Sequence, residues 1–297
     1  MQRSILLAIA ILLSASASSQ RTQVVLLGTG TPNADPDRFG PSVAIVVDET
    51  PYIIDCGPGV VRRASAAFQK GVKGRNPPLL NKLFITHLHS DHTSGYADFL
   101  LTPAVLEREG PLLVFGPAGT KKMNELITEA YQPDFNVRIF GLEKGDSTAY
   151  KTIVTEINEG VIYRDNLVTV IAFRVPHAGW DEAYGFKFIT PDKTIVASGD
   201  CTFNEKMIEM SKDCDILIHE VYSEEGWSKR PEKWKLYHKN AHTSTTDLAK
   251  IANAARPKLL VLYHQLIWSS TEKKLVKEIT ERYKGRVVSG KDLDVFK

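Results

Sequence analysis

The sequence predicts an α/β (α+β) fold in which two sheets pack together within a single domain. Short β-branched runs alternate with amphipathic stretches along the chain, as strands and helices do. No Pro/Gly/Ser-rich linker and no change in composition divides it. Asp or His ends several of the strands, as a site along one edge of two packed sheets requires. These strand-terminal residues are Asp55, His87, His177, Asp200 and His264.

The composition is that of an ordinary globular protein with a large core. Of the 297 residues, 43% are hydrophobic and 24% are charged. The formal net charge of +2 does not indicate a nucleic-acid-binding protein. Three cysteines, Cys56, Cys201 and Cys214, do not make a disulfide framework, and we expect free, buried thiols. Because Cys56 and Cys201 each adjoin an Asp of the expected site, a close approach of these two stays open.

Residues 1–20 are predicted to be a secretory signal peptide. Arg3 precedes the apolar run from Ile5 to Leu13, and the small-residue pattern around Ala15 and Ala17 follows. The run is too short to span a membrane, and no cysteine lies nearby for a lipid anchor. A buried N-terminal helix is the alternative. We therefore expect a folded domain over residues 21–297 that is periplasmic or secreted and has no membrane anchor.

Three strands and a helix are predicted before the main motif. The strands are TQVVLLG, SVAIVVD and YIIDCGPG, and the helix runs from Val60 to Lys70. The loop after the first strand is rich in glycine, but it lacks the spacing of a phosphate-binding loop. Asp55 ends the third strand and is a candidate hydrogen-bond partner for a metal-bound His; a plain turn residue is the alternative.

The stretch ITHLHSDHTSG follows the buried run NKLFI and carries the strongest signal in the chain. Its His87, His89, Asp91 and His92 offer the imidazole and carboxylate ligands that suit zinc, with iron and manganese as lesser candidates. His87 and His89 alternate along an extended segment, so both can bind one ion. Asp91 and His92 lie past the turn and can serve a second ion.

After the motif, helices are predicted first and strands follow them. Helices are expected at Tyr96 to Glu109 and Lys121 to Tyr131, and strands from Val137 to Thr190. His177 ends one of these strands, within reach of the first ion. Asp200 ends the strand TIVASGDC, where a carboxylate is well placed to bridge two cations.

Four residues in the last third of the chain are singled out, namely His219, Glu220, His242 and His264. The strand ILIHEVY brings Glu220 to the same edge, whereas His219 alternates to the opposite face and is expected in the core. His242 precedes a helix capped by Thr243 or Ser244. The strand KLLVLYHQ ends in His264, and TEKKLVKEITERY is the closing amphipathic helix.

The motif HLHSDH matches the HxHxDH motif of the metallo-β-lactamase superfamily, and the order of motifs resembles its tRNase Z-like phosphodiesterases. These motifs are LLGTGTP, IIDCGPG, VPH, AYGFKF, SGDC, HEVY, HTSTTDLA and LYHQ. The resemblance implies a four-layer αββα metallo-β-lactamase sandwich with two Zn²⁺ ions, Mn²⁺ or Fe²⁺ being the other candidates. The implied metal ligands are His87, His89 and His177 for one ion, Asp91, His92 and His264 for the other, and Asp200 as the bridge. The implied catalytic residues are Asp91, Glu220 and His242, the last two as a proton relay.

One departure from tRNase Z bears on the substrate. In that family a long arm that grips tRNA lies between the segments equivalent to VPH and SGD, whereas only 23 positions separate His177 from Asp200 here. We therefore expect hydrolysis of a small anionic ester, a phosphodiester or an aryl sulfate, as in secreted arylsulfatases of similar organisation. A lactonase and a true 3′-tRNA processing endoribonuclease are the alternatives; a β-lactamase fits Asp200 less well. The resemblance also implies a homodimer.

The segment from Tyr222 to Asn240 is a second departure. It is predicted to be a polar loop that hangs over the site as a lid, because it lies between Glu220 and His242. Its aromatic and basic residues would stack on a ring and attract an anion. These residues are Trp227, Trp234, Tyr237, Lys229, Arg230, Lys233, Lys235 and Lys239. A solvated loop is the alternative, since three glutamates dilute the positive charge.

Overall fold

Two seven-stranded sheets lie face to face in the computed structural model, which describes residues 21–72 and 76–297. The strands are β1 Thr22–Gly28, β2 Ser42–Val47, β3 Thr50–Ile54, β4 Lys82–Phe84, β5 Leu112–Gly116, β6 Thr152–Glu156, β7 Gly160–Arg164, β8 Thr169–Arg174, β9 Tyr184–Ile189, β10 Thr194–Ala197, β11 Ile216–Tyr222, β12 Leu259–Leu266, β13 Val287–Ser289 and β14 Val295–Phe296. One sheet has the order β14-β1-β2-β3-β4-β5-β6 and the other has the order β13-β12-β11-β10-β9-β8-β7. The predicted signal peptide lies outside the described residues.

Helices cover the outer face of each sheet. They are α1 Val60–Gln69, α2 Ser90–Thr93, α3 Tyr96–Val105, α4 Thr120–Ala130, α5 Gln132–Phe140, α6 Glu205–Ser211, α7 Glu224–Ser228, α8 Glu232–Ala241, α9 Thr245–Ala255 and α10 Glu272–Thr280, with a single 3₁₀ turn at Pro77–Leu79. Helices α1 and α3 pack on the first sheet, and α6, α9 and α10 pack on the second. In the part of the chain that the structure describes, no helix is long and apolar enough to cross a membrane.

The core has three layers of apolar side chains, one between the sheets and one under each helical layer. Successive residues of β1 show why its sequence is apolar throughout: Val24 faces the other sheet, whereas Val25 faces the helices. Phe84 lies at the centre of the layer between the sheets, with its ring centroid 5.1 Å from that of Phe115 and 5.4 Å from that of Phe188. The αββα sandwich and the single domain are therefore confirmed.

The stretch from Val137 to Lys151 differs from the sequence prediction. Strands were expected from Val137 onwards, but α5 extends to Phe140 and the next strand begins at Thr152. Pro133 occupies the first turn of α5, and Phe135 and Ile139, one helical turn apart, both pack against the helix-covered core. That prediction was wrong because a short helix buries one narrow stripe, which alternating apolar residues also produce.

The topology brings the site to one edge. Strands β10, β11 and β12 run parallel, so their carboxyl ends meet at the same side of the second sheet. Strands β3 and β4 are parallel in the first sheet. The two edges are joined where the backbone N–H of Tyr184 donates to the carbonyl of Thr86 at 2.9 Å. Residues that follow these five strands therefore converge.

Candidate metal centre

The HLHSDH segment leaves β4 and turns directly into α2. His87 and His89 lie in the extended part, and Asp91 and His92 lie in the helix. The backbone N–H of Cys56 donates to the carbonyl of His92 at 2.8 Å and holds the helix against the end of β3. A side chain at Gly57 would come within 2.6 Å of the backbone oxygen of Asp91, so only glycine permits this approach.

One group of imidazoles converges at the end of the extended segment. His87 Nε2 is 3.0 Å from His89 Nδ1, and His177 Nε2 is 3.1 Å from the same atom. The Nδ1 of His177 lies 2.7 Å from the carbonyl of Ala241, which can only accept, so the lone pair of His177 Nε2 points inward. Zinc–nitrogen bonds of about 2.0–2.1 Å separate two ligand nitrogens by about 3.0–3.4 Å, which these distances match.

A second group lies beside the first, with Asp200 between them. His264 Nε2 is 3.2 Å from Asp91 Oδ2, and His92 Nε2 is 3.6 Å from that oxygen. Asp200 Oδ2 is 3.5 Å from both His92 Nε2 and His264 Nε2. The ligand atoms of Asp91, His92 and His264 lie within 4.8 Å of one another, as do those of the first group together with Asp200.

The charges of the site suit a cation. Burial raises the pKa of Asp200, but His264 and His92 outweigh it and hold that pKa well below its usual range. Burial, with the neighbouring His92, lowers the pKa of His87 well below its usual value. Within the described residues, His92 Nε2 and Asp200 Oδ1 are buried without a hydrogen-bond partner. These unpaired atoms, together with the neutral imidazole of His87, fit a bound divalent metal ion.

Asp55 holds the ring of His92 from behind. Its Oδ2 lies 2.8 Å from His92 Nδ1, and its Oδ1 accepts from the backbone N–H of Thr86 at 2.8 Å. The expected contact between Asp55 and a candidate ligand is therefore present. Asp55 has φ +56, a left-handed conformation that Asp tolerates better than most residues.

A β-bulge turns His264 toward the site. The register between β11 and β12 shifts between Glu220 and Val221, so that His264 is the extra residue. Its φ is +44, which confirms the local distortion. The strand was predicted to end at His264, but it continues to Leu266. The bulge therefore selects the direction of this side chain.

Glu220 and His242 face each other next to Asp200. Glu220 Oε2 is 3.5 Å from His242 Nδ1, and Asp200 Oδ2 is 3.8 Å from that nitrogen. Glu220 Oε1 accepts from the backbone N–H of Thr243 at 2.7 Å, which fixes the carboxyl group. Burial and the charge of Asp200 raise the pKa of Glu220 well above its usual range, and burial lowers the pKa of His242 to about 4. His219 is buried with its Nδ1 against a backbone carbonyl, as a core residue.

The segment 222–240 differs from its prediction in structure. It forms α7 and α8 instead of a polar loop. Trp234 and Tyr237 line a cavity of about 600 Å³ next to His89, Asp91, Asp200 and His242, whereas Trp227 lies outside that cavity. The segment therefore covers the site, but only part of it faces inward. The three cysteines are free and buried, and Cys56 and Cys201 belong to different core layers.

Three residues near the site were not identified from the sequence. Trp180 Nε1 donates to His89 Nε2 at 2.9 Å, and His238 and Trp268 line the cavity. The position of Trp180, three residues after His177, was the only available signal. His238 and Trp268 become neighbours because α8 packs against the turn that follows β12, which local spacing does not reveal.

Comparison with known proteins places the chain among relatives of similar length. The model of the beta-lactamase superfamily domain matches residues 50–265. Ribonuclease Z of Mycobacterium bovis is 30% identical over 277 residues, which cover 91% of this chain and 96% of that protein. Ribonuclease Z of Mycobacterium tuberculosis is 29% identical over 276 residues, with the same coverage.

Solved structures share the fold at lower identity. The metallo-β-lactamase fold protein YhfI from Bacillus subtilis has a TM-score of 0.72 and 15% identity, and the match covers 93% of this chain and 99% of that one. The short form of human tRNase Z has a TM-score of 0.67 and 21% identity, with 93% and 98% covered.

Proposed function

Because this chain belongs to the metallo-β-lactamase superfamily, in the branch that resembles ribonuclease Z, we propose that it is a phosphodiesterase that uses two divalent metal ions. The observation that carries the proposal is the position of Asp200. Its Oδ2 lies 3.5 Å from His92 Nε2 and from His264 Nε2, and the first imidazole group lies on its other side. A shared carboxylate between two donor groups is what a two-metal hydrolase requires.

Each donor group is proposed to hold one ion. His87, His89 and His177 would bind the first, Asp91, His92 and His264 the second, and Asp200 both. Imidazole and carboxylate donors suit Zn²⁺, and Mn²⁺ or Fe²⁺ remain candidates. Bound divalent cations would lower the pKa of water and neutralise negative charge on the ester.

The chain's own groups would supply the proton for the leaving oxygen. His242 lines the cavity, and Glu220 Oε2 faces its Nδ1 at 3.5 Å. We propose that the two form a proton relay: Glu220, whose raised pKa keeps its carboxyl protonated, passes a proton to His242 Nδ1 while His242 donates the proton of its other ring nitrogen to the leaving oxygen. Asp91 also lines the cavity, and we propose that its carboxylate orients the attacking water by a hydrogen bond.

Nucleic acid is the first substrate class to test. The expectation of a small ester relied on the short distance between His177 and Asp200. The relatives named ribonuclease Z align with this chain over 277 and 276 positions, which cover 91% of this chain and 96% of those proteins. The aligned parts are therefore about equally long in both proteins, and a long arm that this chain lacks does not fit within them. The short connection therefore does not separate this chain from them, and we propose an RNA phosphodiester as the substrate.

An aryl sulfate or another small aryl ester is the second candidate. The aromatic lining of the cavity, with Trp234, Tyr237 and Trp268, favours it. One set of assays separates the two candidates. The metal-loaded protein is incubated with an RNA that carries a 3′ extension, bis-p-nitrophenyl phosphate, p-nitrophenyl sulfate and a lactone.

We expect turnover of both phosphodiesters, loss of turnover with a chelator and its return with zinc. Asp200→Asn should lose turnover, whereas Asp165→Asn, in the separate hydrogen-bond cluster of Tyr52 and Tyr163, should keep it. Turnover of the sulfate alone would replace the proposal by the second candidate. Full activity in the chelator would contradict a metal-dependent mechanism altogether.

We also propose that the protein is exported, because residues 1–20 have a charged residue, an apolar run and small residues in the order of a signal peptide. Cell fractionation tests it: the processed protein should appear outside the cytoplasm, and deletion of residues 1–20 should retain it inside. An exported protein would meet RNA or other phosphodiesters outside the cytoplasm rather than tRNA precursors. Retention of the full-length protein in the cytoplasm would contradict export.

A further inference from the structure

One side of the cavity at the metal centre is built from aromatic side chains. This aromatic wall consists of the four rings of Trp234, Tyr237, His238 and Trp268, together with the guanidinium of Arg230. It faces His89, Asp91 and Asp200 across a space of about 600 Å³. Such a volume accommodates a drug-sized group. A substituent of an ester bound at the metal centre can therefore contact the wall.

Arg230 is the cation of this wall, and its guanidinium forms no salt bridge with any residue that the structure describes. Its guanidinium carbon lies 5.6 Å from the ring centroid of Trp234 and 5.4 Å from that of Trp268. Its Nε is buried, and no described residue is a hydrogen-bond partner for it. Among the described residues that line the cavity, it is the only Lys or Arg. A cation held by two indoles and facing metal ligands is placed to meet an anionic oxygen.

His238 adds a second unpaired polar group. Both of its ring nitrogens are buried and have no hydrogen-bond partner in the described parts of the chain. Its ring lies 4.5 Å from that of Trp268 and is nearly parallel to that of Trp234, at 24°. Burial, with His242 and Arg230, lowers its pKa to about 4, so the ring is neutral and can donate and accept. A polar ligand edge would satisfy these atoms.

Contacts with other elements anchor the helices next to the wall. Glu278 on α10 accepts from the backbone N–H groups of Glu224 and Glu225 at the start of α7. A side chain at Gly226 would come within 2.3 Å of the backbone oxygen of Ile267, so α7 lies directly on the turn that carries Trp268. Trp227 Nε1 on α7 in turn donates to the carbonyl of Lys235 on α8 at 3.0 Å, so the helix that carries most of the wall is tied to an anchored one and its rings are preorganised.

We propose that the aromatic wall binds a planar aromatic group that flanks the reacting ester, with Arg230 on a non-bridging ester oxygen. This inference rests on the proposed phosphodiesterase function and names its substrate class. The aromatic group has two sources, a nucleobase or an aryl leaving group. Both offer a flat face to Trp234 and Trp268 and a polar edge to His238.

Binding measurements test the wall without turnover. Adenosine 5′-monophosphate, ribose 5-phosphate, p-nitrophenyl phosphate and methyl phosphate are titrated into the metal-loaded full chain by calorimetry. We expect each aromatic phosphate to bind about tenfold more tightly than its partner without a ring, since one stacked base contributes about that much. A gain with the nucleotide alone assigns a nucleobase, and a gain with the nitrophenyl ester alone assigns an aryl group. No gain with either overturns the inference.

Matched variants test the residues. Trp234 is 39% exposed, so Trp234→Ala should fold normally and reduce the aromatic preference severalfold. Arg230→Met should weaken binding of all four phosphates about tenfold. Lys233→Met is the control, because its Nζ lies 5.4 Å from the same Trp234 ring while Lys233 is not part of the cavity lining. An equal loss in the Lys233 and Arg230 variants would contradict the role of Arg230.

The wall and the proposed function fail separately. Preferential binding of an aromatic phosphate without turnover of any phosphodiester would support the aromatic wall and contradict the phosphodiesterase function. Turnover of phosphodiesters without a preference for aromatic groups would do the reverse.

Discussion

Replacement of Asp55 by Asn should weaken metal binding without disturbing the ligands themselves. Asp55 lies behind His92, with Oδ2 2.8 Å from His92 Nδ1 and Oδ1 2.8 Å from the backbone nitrogen of Thr86. Asn has nearly the same shape and also tolerates the left-handed φ of this position. Its amide can accept from Thr86, but it then turns an N–H₂ group toward the N–H of His92.

The size of the effect follows from this conflict. A buried donor left without an acceptor costs about 1–3 kcal/mol. Loss of a carboxylate behind a metal-bound His typically reduces metal affinity about 10–100-fold. At about 1.4 kcal/mol for each factor of ten, the two estimates agree. We therefore expect the ion held by His92 to bind about 10–100-fold more weakly, and the other ion to be less affected.

Competition with a chromophoric chelator measures both affinities in one titration. Asp165→Asn is the control, because Asp165 accepts from the hydroxyls of Tyr52 and Tyr163 in a hydrogen-bond cluster away from the site. It should lower the free energy of unfolding and leave both metal affinities unchanged. Unchanged affinities in Asp55→Asn, or an equal drop in the control, would refute the reasoning.

Three further predictions concern the proton donor, the metal and the core. His242→Ala should lower kcat about 10²–10⁴-fold on diesters with alkoxide leaving groups and less on p-nitrophenyl esters, which need no proton; equal losses would contradict its role. Trp180 Nε1 donates to His89 Nε2. If His89 binds metal through Nδ1, its Nε2 must carry a proton and can no longer accept this hydrogen bond, so zinc added back after chelation should change the tryptophan emission. Trp180→Phe should remove most of that change. A signal that persists in the variant would exclude this coupling. Phe84→Ala should lower the free energy of unfolding in urea by about 3–5 kcal/mol, because the ring is fully buried between the sheets; a loss below about 1 kcal/mol would contradict its central position.

Much of the architecture could be predicted because it is encoded in local patterns. Continuous apolar runs such as β1 and β12 mark strands that are buried on both faces, and that requires helices on the outside of each sheet. The helix α5 could not be identified in the same way. Phe135 and Ile139 bury one stripe of a nine-residue helix, which is too short for its period to be distinguished from that of a strand.

The sequence by itself determined the candidate ligands, because their spacing and their positions after buried strands are local properties. It also determined that Asp55 stands at a strand end beside them. Only the tertiary structure decided how they meet. His264 contacts Asp91 across 173 positions of the chain, and its direction depends on a bulge between two parallel strands. The aromatic wall likewise exists only where α8 meets the turn after β12, since contacts between distant segments depend on register and packing that no short stretch of sequence contains.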